Sequence, residues 1–372
     1  MSPSDPIPLS QPFVGLREEE LVLEVLRSGR LALGPMIDRF EEALAERIGA
    51  SYVAAVSSGT AGLHLCVRLA GLGPGDEAIT SPFSFVASAN CILFEGGTPV
   101  FADIDPRTLN LDPDAAAAAI TPRTKAIVGV DIFGYPCELD ELRRLADEHG
   151  LAFIEDACEA LGARYRGSPL GSFPHPAVFA FYPNKQVTTG EGGAVAVQTE
   201  DEWRLLKSLA NQGRADSGGW LDHARFGYNY RLDDLSAAVG LAQVERLDEI
   251  LALRSAAAAR YAELLARVAD VETLLADDAD HHRSWFVFPV RLAAGIDRER
   301  IIARLAERGI ATSRYLPSIH LQAYMRERFG FREGMLPVAE EASRALLSLP
   351  FFTDIAPEQQ ERVVEELGAA LR

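Results

Sequence analysis

The stretch FAFYPNKQVTTGEGGAV, from Phe179 to Val195, places one lysine, Lys185, in a glycine-rich turn between two apolar, strand-like runs. An amine that attacks an aldehyde must be held rigidly and partly removed from water, so that it is neutral often enough to react. The turn around Lys185 offers such surroundings and indicates a Schiff-base lysine. An ordinary loop lysine fits the same residues about equally well, so the hypothesis needs support from other segments.

A second turn has the features of an anion site. Residues 57–65 read SSGTAGLHL; they follow the apolar run Tyr52 to Val56 and open a helical pattern. Backbone N–H groups at a helix N-terminus, together with the hydroxyls of Ser58 and Thr60, suit a phosphate. Capping of the helix by either hydroxyl explains the same residues. No Gly-Lys-Ser/Thr sequence follows, so a mononucleotide or a phosphorylated cofactor fits better than a nucleoside triphosphate.

A third segment ends a buried-strand pattern in two carboxylates. Residues 151–163 read LAFIEDACEALGA, with Glu155 and Asp156 where the strand pattern stops. In an α/β sheet, ligand contacts collect at the carboxyl ends of the strands. Pyridoxal phosphate requires an anion site for its phosphate, a carboxylate for its pyridine nitrogen and a lysine for its aldehyde. The three segments together indicate this cofactor far more specifically than any one of them.

With these segments identified, the chain resembles the sugar aminotransferases of the DegT/DnrJ/EryC1/StrS type, which belong to the fold-type I pyridoxal phosphate enzymes. The resemblance extends over nearly the whole chain. The matching stretches are, in chain order, residues 28–30 with 34–35, 58–60, 82–87, 155–157, the Lys185 segment, 227–231 and 317–322.

The resemblance implies how the cofactor, pyridoxal 5'-phosphate, is held. Lys185 would bind it covalently and move protons, Asp156 would pair with the pyridine nitrogen, and Phe85 would stack on the ring. A core aromatic at a helix start is the alternative interpretation of Phe85.

The phosphate of the cofactor has its own implied partners. Gly59, Thr60 and Ala61 would bind it within the subunit. Asn229 would reach the phosphate bound by the neighbouring subunit, which implies a homodimer with shared active sites.

Two positions depart from the family pattern. Many relatives have a serine that contacts the phosphate five residues before the lysine, where this chain has Ala180. Three residues after the aspartate, Glu159 replaces a frequent glutamine near the phenolic oxygen of the cofactor. A carboxylate would repel a phenolate, so we expect Glu159 to be protonated, turned away or engaged by a cation.

The resemblance also implies the reaction. Glutamate would donate its amino group to a nucleotide-linked 4-keto-6-deoxy-hexose, with His320, Arg231 and Tyr315 as candidate substrate-binding residues. Two alternatives stay open, namely a 3-keto-sugar or keto-cyclitol acceptor, and a non-catalytic sensor or scaffold that retains the fold. A dehydratase branch replaces the lysine with histidine, so Lys185 argues against that branch.

Composition restricts the partners and the compartment. The formal net charge of -18 argues against nucleic acid and anionic membranes, because both require a basic face. A nucleotide-sugar needs only local positive charge, which arginines could supply. No apolar run approaches the roughly 18 to 20 residues of a membrane span, and the start MSPSDP lacks the features of a secretory leader. We therefore expect a cytoplasmic protein.

The four cysteines are expected to be buried reduced thiols, and no metal site is expected; His281 and His282 fit exposed loop positions.

The periodicity predicts an α/β fold in two domains. The large αβα domain, residues 1–245, would contain a mainly parallel seven-stranded sheet with one plausible antiparallel member, and residues 246–372 would form a smaller C-terminal α/β domain. Strands are predicted at residues 52–56, 77–80, 99–104, 126–132, 151–155, 177–181, 193–197 and 284–292. Helices are predicted at residues 18–26, 37–48, 115–119, 139–149, 235–268, 298–308 and 357–371.

Overall fold

A computed structural model describes residues 5–215, 219 and 221–372. The first four residues, which contribute to the expectation that no secretory leader is present, lie outside this range. The helices are α1 (Leu16–Ser28), α2 (Pro35–Ile48), α3 (Gly59–Leu69), α4 (Ala87–Phe94), α5 (Pro113–Ala118), α6 (Leu139–His149), α7 (Glu200–Ala210), α8 (Asp234–Glu245), α9 (Leu247–Leu265), α10 (Arg298–Glu307), α11 (Ala323–Phe329), α12 (Pro337–Ala345) and α13 (Pro357–Leu371). The strands are β1 (Tyr52–Val56), β2 (Glu77–Thr80), β3 (Thr98–Phe101), β4 (Thr124–Val130), β5 (Ala152–Asp156), β6 (Arg164–Tyr165), β7 (Ser168–Pro169), β8 (Ala177–Ala180), β9 (Gly193–Val197), β10 (Val271–Thr273), β11 (His281–His282), β12 (Phe288–Leu292), β13 (Ser313–Arg314) and β14 (Leu346–Leu349).

Seven strands form one sheet in the order β1-β9-β8-β5-β4-β2-β3. The pairs from β8 through β5, β4 and β2 to β3 are parallel, whereas β9 is antiparallel to both β8 and β1. The chain between β8 and β9 has no helix, so it returns directly and reverses the strand direction. The structure thus confirms the mainly parallel seven-stranded sheet.

The sheet is covered on both faces, and this burial decides which way the end of β5 points. Ile154 packs in a core that includes residues of α3, whereas Phe153 packs in the core on the opposite face. Because side chains alternate along a strand, Asp156 shares the face of Ile154 and α3. The alternation therefore turns Asp156, and not Glu155, toward the helix whose N-terminus was selected as an anion site.

The C-terminal part is built on a smaller antiparallel sheet in the order β10-β12-β14-β13. Its core takes side chains from this sheet, from α9 and from α13. The N-terminal segment also joins this core, because Ile7 is buried in it and pairs with Ile310. This segment therefore packs with the small sheet, although the predicted division assigns it to the large domain.

The helix predicted for residues 235–268 is in fact two helices, α8 and α9. They are separated at Arg246, whose backbone has φ -107° and ψ 12°. The Arg246 guanidinium lies 4.4 Å from the centroid of the Phe13 ring, and its Nη1 lies 3.4 Å from Glu18 Oε1. Helix α8 packs against α1 and α2, whereas α9 packs against α13. Helix α9 starts in the same core as α8, with Ile250, and continues into the core of the small sheet, with Tyr261. An amphipathic pattern cannot reveal this break.

The strand predicted for residues 284–292 begins only at Phe288, because a buried arginine binds the preceding backbone. Arg254 of α9 is 2% exposed and donates from Nε to the carbonyl oxygen of Trp285 and from Nη2 to that of Phe286, both at 2.6 Å. Its Nη1 donates to Thr353 Oγ1 at 3.0 Å. Burial lowers the pKa of the guanidinium to about 9.

Within the described residues, no helix combines the length and the apolar composition that crossing a membrane requires. The expected cytoplasmic location stays a prediction. All four cysteines are free; Cys66, Cys91 and Cys137 are buried, and Cys158 is half-buried.

Replacement of Arg254 is expected to destabilise the protein. Arg254→Met leaves two buried carbonyl oxygens without donors, which should lower the free energy of unfolding by about 2 to 4 kcal/mol in urea denaturation. Arg260→Met is the matched control, because Arg260 is an exposed arginine of the same helix and should contribute about 1 kcal/mol or less. Equal losses in the two variants would contradict the bridging role of Arg254.

Candidate active site

A cavity of about 470 Å³ lies where the carboxyl ends of β5 and β8 face the N-terminus of α3. It brings together the three segments selected from the sequence. Its lining includes Ser58, Gly59, Thr60, Ser84, Phe85, Asp156, Cys158, Glu159, Ala180, Tyr182, Asn184, Lys185 and Tyr315.

The Asp156 carboxylate is anchored inside this cavity. Ser88 of α4 donates its hydroxyl to Oδ2 at 2.7 Å, and the Cys158 backbone N–H donates to Oδ1 at 3.3 Å. The Ser84 hydroxyl lies 2.7 Å from that of Ser88 and extends the network. Asp156 is only 4% exposed, so these donors replace the water that its oxygens lose.

Lys185 is the one lysine among the described residues that line the cavity. The chain contains only three lysines, of which Lys125 is exposed and Lys207 is paired with Glu41 at 2.7 Å. The Lys185 Nζ atom lies 3.7 Å from Glu159 Oε1. The same atom lies 3.9 Å from the centroid of the Phe286 ring, in a cation–π arrangement.

Glu159 is engaged by a cation, one of the three arrangements expected for it. Besides the contact of Oε1 with Lys185, its Oε2 accepts a hydrogen bond from the Phe133 backbone N–H at 2.9 Å. Burial raises the pKa of the Glu159 carboxyl, while the Lys185 charge and the Phe133 amide oppose that rise. Glu159 therefore faces Lys185 across the cavity.

The glycine turn at the start of α3 forms one wall. Ser58 is the N-cap, because its Oγ accepts a hydrogen bond from the Ala61 N–H at 3.1 Å, as the capping interpretation predicts. Gly59 and Thr60 line the cavity, whereas Ala61 does not. A Cβ atom on Gly59 would lie 2.7 Å from Cβ of Ala180, so only glycine lets the turn approach β8 this closely. The first-turn N–H groups of a helix lack partners within the helix, which leaves this wall suited to an anion.

Two aromatic residues predicted for the site reach the cavity. Phe85 is 61% exposed, so the alternative of a core aromatic is wrong. Tyr315 enters from the C-terminal part of the chain, and burial raises the pKa of its hydroxyl.

Other predicted site residues do not line this cavity. His320 is fully buried with Nε2 3.1 Å from Glu340 Oε1, which corrects the expectation that it contacts the sugar. Arg231 donates from Nη1 to Asn211 Oδ1 at 3.0 Å. Asn229 is exposed on the surface, and its expected contact with a second subunit is not tested in a single chain.

His281 corrects a further expectation, because it is not an exposed loop residue. It lies in β11, is 6% exposed and stacks on Tyr135 with ring centroids 5.0 Å apart. Its Nδ1 lies 3.0 Å from Asp278 Oδ1. In the part of the chain that the structure describes, no group of His, Cys, Asp and Glu side chains could hold a metal ion.

Sequence reasoning missed two residues that contact the charged groups of the cavity. Ser88 lies in the first turn of α4 and its partner Asp156 is 68 residues away in sequence, so no local pattern indicates the contact. Phe286 lies about a hundred residues from Lys185, in a run that reads as an ordinary strand. Nothing in the sequence connects the two, because their contact depends on how the C-terminal part packs against the large sheet.

Comparisons with known proteins agree with this geometry. Residues 14–368 match the DegT/DnrJ/EryC1/StrS aminotransferase family. The chain is 37% identical to the spore coat polysaccharide biosynthesis protein SpsC of Bacillus subtilis (strain 168), over 96% of this chain and 95% of that protein. It is 34% identical to DesV of S. venezuelae, solved in complex with a ketimine intermediate, with a TM-score of 0.91 and 99% of each chain covered. The PLP-form of Spr1654, a putative sugar aminotransferase of Streptococcus pneumoniae, is 27% identical with a TM-score of 0.93 over 98% of each chain.

Loss of the Ser88 hydroxyl is expected to destabilise the folded protein. Ser88→Ala removes a hydrogen bond to a buried carboxylate, which should lower the free energy of unfolding by about 1.5 to 3 kcal/mol in chemical denaturation. Ser84→Ala is the control; it removes a bond between two hydroxyls and should cost about 1 kcal/mol. A smaller loss for Ser88→Ala than for Ser84→Ala would contradict the anchoring of Asp156 by Ser88.

Proposed function

The chain belongs to the DegT/DnrJ/EryC1/StrS aminotransferase family, whose members depend on pyridoxal 5'-phosphate, and is a sugar aminotransferase. On that premise we propose that it uses this cofactor to transfer the amino group of glutamate to a nucleotide-linked 4-keto-6-deoxy-hexose. The observation that carries the proposal is the single cavity in which Lys185, Asp156 and the N-terminus of α3 meet.

The residues present fit the cofactor on three sides of the cavity. The glycine turn supplies a wall where Gly59 and Thr60 would hold the phosphate. Asp156, anchored by Ser88, would hold the protonated pyridine nitrogen with its charge. Lys185 would form the covalent link. The cofactor, when bound, withdraws electrons from the α-carbon of the amino donor and so allows a proton to leave.

The chain's own residues would then control that proton. The Lys185 amine, released when the amino donor binds, would take the proton from the α-carbon of the donor and pass it to the C4′ carbon of the cofactor. In the second half it would move a proton in the opposite direction, onto the sugar carbon that receives the amino group. Phe85, exposed at the cavity wall, would keep the ring in its plane, a contact worth about 0.5 to 1.5 kcal/mol beyond burial.

Ala180 and Glu159, the two departures from the family pattern, are compatible with catalysis. Ala180 carries no hydroxyl, so one hydrogen bond to the phosphate is absent from this wall. Its small side chain lies against Gly59 and allows the close approach of the turn. Lys185 and the Phe133 amide contact the Glu159 carboxylate, so its negative charge near the cofactor is compensated.

The sugar acceptor and the homodimer rest on different support. The relative SpsC is named for polysaccharide biosynthesis, which supports a sugar substrate.

In a single chain, Leu221 and Phe226 are 78% and 72% exposed, near Asn229 in sequence. Such exposed apolar side chains support a second copy of the chain that covers this segment and places Asn229 at its phosphate. His320 is not part of this proposal, and Tyr315 is the substrate-binding candidate that lines the cavity.

Covalent capture of the cofactor tests the role of Lys185. The wild-type chain with pyridoxal 5'-phosphate is expected to show an imine absorbance band that borohydride abolishes, and mass spectrometry should find the reduced adduct on Lys185. Lys185→Ala should lose band and adduct, whereas Lys125→Ala, which alters an exposed lysine, should retain both. A wild-type protein that forms no reducible adduct would overturn the proposed function.

Transfer of labelled nitrogen tests the substrates. With ¹⁵N-glutamate and a panel of nucleotide-linked keto-sugars, we expect label in a 4-keto-6-deoxy acceptor. Label in 3-keto sugars or keto-cyclitols alone would refute the acceptor, and transfer only from other amino acids would refute glutamate as the donor.

A further inference from the structure

The Lys185 ammonium lies between an acid and an aromatic ring that come from different parts of the chain. Glu159 follows β5, and its Oε1 is 3.7 Å from Nζ. Phe286 precedes β12, and its ring centroid is 3.9 Å from the same atom. Phe286 is 1% exposed, so the ring face that meets Nζ is removed from water.

The residue that follows Lys185 is bonded to Glu159 and to Ser284, which lies two residues before Phe286. Gln186 Nε2 donates to the carbonyl oxygen of Glu159 at 2.6 Å, and to Oγ and the carbonyl oxygen of Ser284 at 2.8 and 3.1 Å. Ser284 in turn lies against Gly134, where a Cβ atom would approach its carbonyl oxygen to 1.7 Å. The amide of the neighbouring Phe133 holds the second Glu159 oxygen.

Resting on the proposed function, we infer that Glu159 and Phe286 form a resting site for the Lys185 ammonium, occupied when the side chain is detached from the cofactor and holds a proton, as in the cofactor-free chain. A released amine is neutral when it accepts a proton and charged once it holds one. That charge is costly for a side chain that is only 13% exposed unless a counter-charge is in place.

Glu159 provides that counter-charge, and its bond to the Phe133 amide does not prevent its contact with Lys185. One Glu159 oxygen is occupied by the Phe133 amide, which leaves the other oxygen for Lys185. The Phe286 ring adds attraction for a cation and not for a neutral amine. The other titratable groups near Glu159 and Lys185 are Asp156, Cys158 and Tyr315. Phe286 is therefore a positioning residue, which acts on Lys185 and not on the substrate.

Because the chain contains only three lysines, the labelling of each one can be measured separately. The cofactor-free full-length chain is acetylated with acetic anhydride at a series of pH values, and peptide mass spectrometry measures labelling of each lysine. Since Glu159 and Phe286 favour the ammonium, removal of either makes the amine available at lower pH. Phe286→Leu should lower the pH of half-maximal Lys185 labelling by about 0.5 to 1 unit, and Glu159→Gln by about 1 unit or more.

Controls separate this role from a general loss of packing. Phe286→Tyr keeps the ring face and should retain the wild-type midpoint, and the midpoints of Lys125 and Lys207 should not change in any variant. Unchanged or raised Lys185 midpoints in Phe286→Leu and Glu159→Gln would overturn the inference. If Phe286→Leu does not fold by circular dichroism, Glu159→Gln alone decides. Because acetylation needs no cofactor, a failure here is distinguishable from the absence of a borohydride-reducible adduct.

Discussion

A lysine ammonium and two carboxylates share one cavity in which all three side chains are nearly buried, and the arrangement of the site follows from that electrostatic constraint. Unpaired charges are costly away from water, so each must be met by a partner or by oriented donors. Asp156 is met by Ser88 and the Cys158 amide. Glu159 is met by the Phe133 amide and by Lys185. The charged groups are thereby fixed in place before any ligand enters.

The fold supplies these partners by bringing distant segments to one edge of the sheet. Parallel strands end at the same edge, so the residues after β5 and β8 face the same cavity. The alternation along β5 turns Asp156 toward α3, and Gly59 allows the α3 turn to approach closely. From the C-terminal part, Tyr315 lines the cavity and Phe286 contacts Lys185; the Phe286 backbone is held by Arg254. The site therefore combines residues of the large sheet with residues that flank strands of the small sheet.

Much of this could be predicted from the sequence, because the predictive features are local. Strands β1, β2 and β9 and helices α6 and α13 have the predicted bounds, since each combines a clear period with an end signal. The three cavity segments could likewise be selected as candidates from local residues, although only their combination indicated the cofactor. Features set by tertiary packing could not be predicted from local residues. They are the helix break at Arg246, the burial of His320 against Glu340, and the contact of Phe286 with Lys185. In each case the partner is remote in sequence and leaves no pattern in the residues around it.

A crystal structure of the chain grown with pyridoxal 5'-phosphate would test the central claim most directly. We expect continuous electron density from Lys185 Nζ to the cofactor, with an Asp156 oxygen within hydrogen-bond distance of the pyridine nitrogen and the phosphate at Gly59 and Thr60. A cofactor bound elsewhere, or bound here with its pyridine nitrogen turned away from Asp156, would contradict it.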